Sequence, residues 1–484
     1  MSEVAEKTSV LGQRSSDGSV KPATLLRQLG IVSATALVIS NMIGTGIFTT
    51  TGFLAGDLGS PGLVLTIWVV GALFALAGAF CYSELGINFP SSGGEYVYLT
   101  RAYGPTWGFM TGWVSFFAGF SAPVAAAALA CSNYLGHFFP ALKQENAAWT
   151  VGSGAFALKL GGAQILASGL ILLLTLVNFI GTSRVAKIQN ALTATKLLVI
   201  AAFIGLGLTV GAGNWDHFAL EAPRTSTIPV AAQFAISLFW IYVCYSGWNA
   251  ATYVAEELKR PERTLPVALT FGTALVAAVY LALNVVFIYA LPLADMTDEK
   301  KNPIVAIGSE AAKALFGPQM AGVFSALMAL SLVATVNAMV TIGPRVYYAM
   351  AQNGAFFRVA AHVHPRWRTP VVAILCQGVC AVLMTATPFP DLIVYIGFTL
   401  TFFAVLAVAS LFIFRRRANW QRLGVVSFAW PLMPAAFILV GVWTIIQGVR
   451  LRPDISVAVV LTIGTGAIVY HIWRALKQRR PAPR

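Results

Sequence analysis

Ile39-Ser40-Asn41-Met42-Ile43-Gly44-Thr45-Gly46-Ile47-Phe48 interrupts the first long apolar run of the chain at its middle. Two glycines around a threonine weaken a helix, and in lipid no water satisfies the backbone groups so freed. Such a break persists only where it lines a cavity or binds something.

The rest of the chain supplies the lipid. Of 484 residues 57% are hydrophobic and 10% charged, too few charges to coat a soluble globule. The net charge of +14 sits in short clusters between apolar runs, which points to anionic lipid and excludes nucleic acid as a partner. Cys81, Cys131, Cys244, Cys376 and Cys380 all fall within apolar runs without metal-ligand spacing and read as small buried hydrophobes. His137, His217, His362, His364 and His471 lie in connections or at span ends, in no metal or triad arrangement. No metal and no cofactor are expected.

At roughly 20 residues per crossing the sequence predicts twelve spans: 30–55, 62–86, 104–135, 160–182, 187–211, 229–255, 266–292, 319–350, 369–386, 388–414, 424–448 and 454–475. The tails and even-numbered connections carry about 23 of the 32 Lys and Arg, including Arg415-Arg416-Arg417, which places both termini in the cytoplasm. Residues 1–27 read as a disordered cytoplasmic tail and 476–484 as a second tail. The amphipathic stretch from Lys301 to Phe316 is too short to cross and reads as a helix lying across the outer face before span 8, with an ordinary loop as the alternative.

Span 6, Phe239-Trp240-Ile241-Tyr242-Val243-Cys244-Tyr245-Ser246-Gly247-Trp248-Asn249, also carries small polar residues and a glycine at mid-depth. A lone glycine is ordinarily a close-packing position. Two interruptions five spans apart instead predict an all-α integral membrane protein with a 5+5 inverted repeat, halves 28–211 and 229–414, followed by two helices in 424–475. The half-helix opening near Gly46 aims free amides at the membrane centre, and the half-helices ending there aim carbonyls. Together they suit the carboxylate and ammonium of an amino acid.

All 18 Asp and Glu fall in tails, connections or near span ends, with Glu84 and Glu256-Glu257 at the ends of spans 2 and 6. With no carboxylate deep in a span, neutral amino acids are favoured over cationic ones. Lys196 is the one basic residue well inside a span, and its cost there makes a functional role the expectation, against simple snorkelling. Asn178, Asn284 and Asn337 read as interhelical glue.

Four stretches carry a resemblance over essentially the whole chain: Ile43 to Phe48; Phe89-Pro90-Ser91-Ser92-Gly93-Gly94-Glu95-Tyr96 with Tyr98; Gly247-Trp248-Asn249 with Glu256 to Arg263; and Asn337 with Arg345. The chain resembles the amino acid/polyamine/organocation superfamily, and within it the L-type amino acid transporters. The resemblance implies a fold like that of the bacterial leucine transporter, with twelve transmembrane helices and substrate between broken spans 1 and 6. It implies a carboxylate on the amides of Thr45, Gly46 and Ile47, and an amine on carbonyls near Asn41, Met42, Val243 and Cys244. Ile43, Gly44, Tyr245, Ser246, Gly247 and Trp248 complete the expected substrate site, with Asn249 and Asn337 in support. Lys196 would stand in for a structural sodium ion and touch the span 1 break.

Two departures from the family follow. Val243 stands where many relatives carry an aromatic gate, so the gate falls to Tyr242, Tyr245 or Trp248, or occlusion is looser. The stretch His137 to Lys159 has no cysteine, so no disulfide-linked heavy chain is expected. The expected activity is sodium-independent transport of neutral L-amino acids by a multi-pass inner-membrane protein. A charged Lys196 implies exchange, and a Lys196 that gives up its proton implies proton symport. A non-transporting sensor would use the same site, whereas an enzyme would need a mid-membrane nucleophile, acid pair or metal cluster that the sequence does not offer.

Overall fold

The computed structural model describes residues 29–478 except 92, 153–156, 180–181, 299–300, 353, 355 and 365–368. The side chains of 182–193, 345, 349, 352, 358, 477 and 478 lie outside the description as well, so Arg345 is not placed. The expected tail 1–27 and residues 479–484 of the second tail also lie outside it.

The chain is a helical bundle. Its first apolar run forms α1 (Ile31–Met42) and α2 (Gly46–Leu58), bent by 42° at the glycines. Gly59, at φ 68, closes α2 by returning its amide to Ala55 O at 3.0 Å, and α3 (Pro61–Asn88) starts two residues later on a proline. A short α4 (Glu95–Tyr103) precedes α5 (Pro105–Val114), which runs through a π-helical segment, Ser115–Ser121, into α6 (Ala122–Leu135). Then come α7 (Gly162–Phe179) and α8 (Thr182–Thr209). The second interrupted run is α9 (Val230–Tyr245) followed by a 3-10 segment, Ala250–Glu257. The remaining helices are α10 (Pro261–Ala290), α11 (Ile307–Phe316), α12 (Pro318–Gln352), α13 (Val371–Met384), α14 (Phe389–Phe414), α15 (Gly424–Phe428), α16 (Leu432–Leu451) and α17 (Pro453–Gln478).

Among the described residues nine helices are long and apolar enough to cross a membrane, or ten with α1 and α2 taken as one bent span. The fifth and ninth expected spans are represented by the shorter apolar helices Ala194–Thr209 and Val371–Met384. At 1.5 Å per residue the latter, 14 residues long, spans about 21 Å against a hydrocarbon core of about 30 Å. Large apolar side chains such as Leu73, Ile165, Leu173, Phe271 and Leu439 stand on the outside, as a lipid-facing surface requires.

Two local expectations change. The Lys301–Phe316 stretch is helical only from Ile307, and its Ile307, Ala311 and Leu315 are buried, with the helix packed on α12. The connection before α7 contains an antiparallel pair of short strands, Trp149–Val151 with Leu158–Leu160, that the apolar pattern does not announce.

Candidate functional site

At the first break α1 stops because Ile43 leaves helical geometry (ψ 84) and the Gly44 amide folds back on Met42 O at 2.8 Å. Helix α2 then begins without a side-chain cap at Thr45. Its first turn leaves the amides of Thr45, Gly46 and Ile47 with no backbone acceptor among the described residues, and Phe48 N is the first to bond, to Thr45 O at 3.1 Å. Three amides at a helix start form an anion-binding geometry.

At the second break α9 ends at Tyr245. Ser246 turns extended (ψ 147), and Gly247 takes φ 96, a conformation that favours glycine. The two breaks interlock through their glycines. A Cβ on Gly46 would lie 2.5 Å from Cys244 Sγ and 2.8 Å from its Cα, and one on Gly247 would lie 2.8 Å from the carbonyl carbon and oxygen of Asn41. Each break therefore needs a residue without a side chain to seat the backbone of the other.

Side chains from four other elements reach the breaks. The Lys196 ammonium of α8, 3% exposed, donates to Ile43 O. Burying an ammonium is tolerated only with such a partner. From α10, the Tyr280 hydroxyl lies 2.6 Å from Met42 O and 3.1 Å from Cys244 O, so one group addresses both breaks. Tyr134 of α6 donates to Phe48 O at 2.7 Å, and Thr335 of α12 flanks Gly44. Tyr280 was not singled out from sequence. Its signal was a tyrosine at mid-span, whose hydroxyl must find an acceptor when buried.

The structure redistributes the expected roles. Ile43 serves Lys196 through its carbonyl, and Val243 O is taken by the Ser246 amide (3.1 Å) and hydroxyl (2.7 Å). Tyr245 and Trp248 both make contacts to α3. Tyr245 donates to Trp68 O of α3 at 3.2 Å, and Trp248, 2% exposed, packs edge-on against Tyr82 of the same helix at 4.7 Å. Tyr242 turns to Leu400 O of α14 (3.4 Å) and to the Phe74 ring (5.8 Å). The three aromatics expected to replace a gate at Val243 are thus drawn toward α3 and α14, because their hydroxyls and rings find partners there. The aromatic group bridging α2 and α9 lies a turn earlier, where Trp240 stacks on Phe53 at 4.3 Å with Phe389 tilted 6.2 Å away.

The asparagines act as glue. Asn178 donates to Asn337 at 3.0 Å, joining α7 to α12, and Asn284 accepts from Thr51 at 2.8 Å, joining α10 to α2. Asn249 donates to the Glu95 carboxylate, whose second oxygen accepts from Tyr253 at 2.8 Å. Glu95 was placed in a connection and is nonetheless buried, at 7% exposure; that burial pushes its carboxyl above the ordinary carboxylate range, against hydrogen bonds that pull it down. Glu84, fully buried, is held differently, by Arg415 (2.5 and 2.6 Å), Trp420 (2.8 Å) and the Leu423 amide (3.0 Å). Among the described residues no group of three or more His, Cys, Asp or Glu is placed to hold a metal ion.

Known proteins share this arrangement of sequence. Residues 29–468 match the family model described as amino acid permease. The chain is 30% identical over 464 residues to the serine/threonine exchanger SteT of Bacillus subtilis, covering 94% of this chain and 98% of that one. It is 31% identical over 400 residues to the human large neutral amino acids transporter small subunit 2, covering 81% of this chain and 70% of the relative. Its identity to the human Asc-type amino acid transporter 1 is 28% over 470 residues, 95% of this chain and 85% of the relative. With a match that spans both breaks and Lys196, the chain belongs to the amino acid permease family of the amino acid/polyamine/organocation superfamily.

Proposed function

We propose that this chain is a sodium-independent secondary transporter that exchanges one neutral L-amino acid for another by alternating access. The observation that carries the reading is the pair of interlocked breaks, with three open amides at the start of α2 and a buried ammonium on the carbonyl of Ile43. The amides of Thr45, Gly46 and Ile47 take the substrate carboxylate. The carbonyls of Asn41, Met42 and Cys244 lie toward its amine, and Lys196 holds the place that a structural cation would fill. Relatives named for exchange of serine and threonine and for transport of large neutral amino acids support the same substrate class.

The buried carboxylates Glu84 and Glu95 are committed to protein donors, which leaves neither for a cationic side chain. In this reading twelve spans form a 5+5 inverted repeat, 28–211 and 229–414, with 424–475 outside it and both termini cytoplasmic. Trp240, Phe53 and Phe389 close the outer side of the site in place of an aromatic at Val243. The chain works without a disulfide-linked subunit, since the connection between α6 and α7 holds no cysteine.

Counterflow in proteoliposomes tests the reading. Labelled serine, alanine and leucine are expected to enter only vesicles preloaded with neutral amino acid, equally with and without sodium. Uptake into empty vesicles that an inward proton gradient accelerates would replace exchange by symport. Saturable binding without flux would make the protein a sensor.

A further inference from the structure

Glu95 has a chemical situation that neither its place in the chain nor the substrate site explains. It opens α4, is 7% exposed, and gives one oxygen to Asn249 and the other to the Tyr253 hydroxyl at 2.8 Å. The other titratable side chains facing it are Tyr82 of α3, Tyr98 of α4 and Tyr242 of α9. No Lys, Arg or His among the described residues pairs with it. A buried carboxylate that lacks a cation is costly and is held only by its hydrogen bonds.

Those bonds cross a boundary. Helix α4 packs on α5 and α14, whereas the 3-10 segment Ala250–Glu257 packs mainly on α1 and α10 and more thinly on α3. The far end of that segment is tied to the start of the described chain, where Leu29 N donates to Glu257 O at 2.9 Å and Lys259 N to Leu29 O at 2.8 Å. Asn249 stands two residues beyond Gly247, so the acid grips the chain as it leaves the second break. The loop before α4 is shaped for the grip. Gly94 takes φ 51, and a Cβ there would lie 2.8 Å from Thr252 Oγ1 and 3.0 Å from the Tyr253 ring.

We propose that Glu95 is a positioning residue of the transport cycle, a latch that holds the connection after α3 on the arm after the second break. The face on which Leu29 meets that arm, cytoplasmic in the proposed orientation, opens to substrate only when its bonds to Asn249 and Tyr253 release. The latch rests on the transporter reading above, because it needs an arm that moves.

Cys244, 2% exposed between the two breaks, is the reporter. The full-length protein in proteoliposomes is treated from that face with a membrane-impermeant maleimide, and modification of the Cys244 peptide is followed by mass spectrometry. Exchange KM is measured at both faces in parallel. Glu95→Ala is expected to speed Cys244 modification at least about fivefold and to shift KM on that face at least about threefold, with the opposite face changed less than about twofold. Tyr253→Phe, which keeps the ring and removes one donor, is expected to move both readouts the same way by less. Glu95→Gln, which keeps the hydrogen-bonding shape once Asn249 flips its amide, is expected to restore both to within about twofold of wild type. The latch is overturned if Glu95→Ala and Tyr253→Phe leave both readouts at wild-type values, or if KM shifts equally at the two faces. Absence of flux in the wild type would sink the transporter reading instead, and the maleimide rates would still decide whether Glu95 holds the arm closed.

Discussion

At the first break the chain leaves α1 at Ile43 and keeps three amides open as α2 begins, whereas at the second Ser246 closes on Val243 O through its own amide and hydroxyl. Lys196 of α8 supports the first break alone and Tyr280 of α10 reaches both, while the second break also closes on itself through Ser246. Both contain a glycine pressed against the opposite strand of backbone. On the proposed reading, the break that holds the anion keeps its donors unspent and borrows support for its carbonyls from distant helices. Its partner break mainly needs to turn sharply and stay close.

The largest expected effect strikes what the breaks share. Gly46→Val places carbon where Cys244 already is, so the breaks must separate and the amides lose their register. Affinity for neutral amino acids should fall at least about 100-fold, read by thermal-shift titration of the purified protein. Wild-type affinity in that variant would detach the site from this break.

Next in size is the external support of the first break alone. Lys196→Ala leaves the carbonyl of Ile43 buried without its donor, a loss of about 1–3 kcal/mol. Counterflow rates should drop about 10–100-fold while the protein still folds. Normal exchange by this variant would reduce Lys196 to packing.

The smallest contrast separates borrowed from internal support. Tyr280→Phe removes a hydroxyl that reaches both breaks and should raise exchange KM about 5–20-fold. Ser246→Ala removes only the second break's own hydroxyl and should change KM less than about threefold. Equal effects of the two would erase the distinction between the breaks.

Much of this site could be read before folding. Gly46 and Gly247 stood out because glycine at mid-membrane depth is a local chemical anomaly, and Lys196 because a lone ammonium in an apolar run needs a partner. For Tyr245 and Trp248 the tertiary structure adds partners that the sequence does not announce. Proximity in sequence to Gly247 says nothing about which way a helical side chain points, and both turn to α3. The burial of Glu95 is not legible in the sequence, because a carboxylate at the start of a short helix between spans is covered only by what packs over it, here the arm that carries Asn249 and Tyr253.

The sequence by itself determined that the chain lives in a membrane, where its helices break, and that one lysine must find an acceptor inside. These follow from the cost of exposing backbone and charge to lipid, a cost that each segment bears wherever it ends up. Only the tertiary structure decided the partners: Ile43 for Lys196, 153 residues away, and Met42 for Tyr280, 238 residues away. A hydrogen bond requires its atoms within about 3 Å, and which of many buried acceptors comes that close is set by how the helices pack against one another.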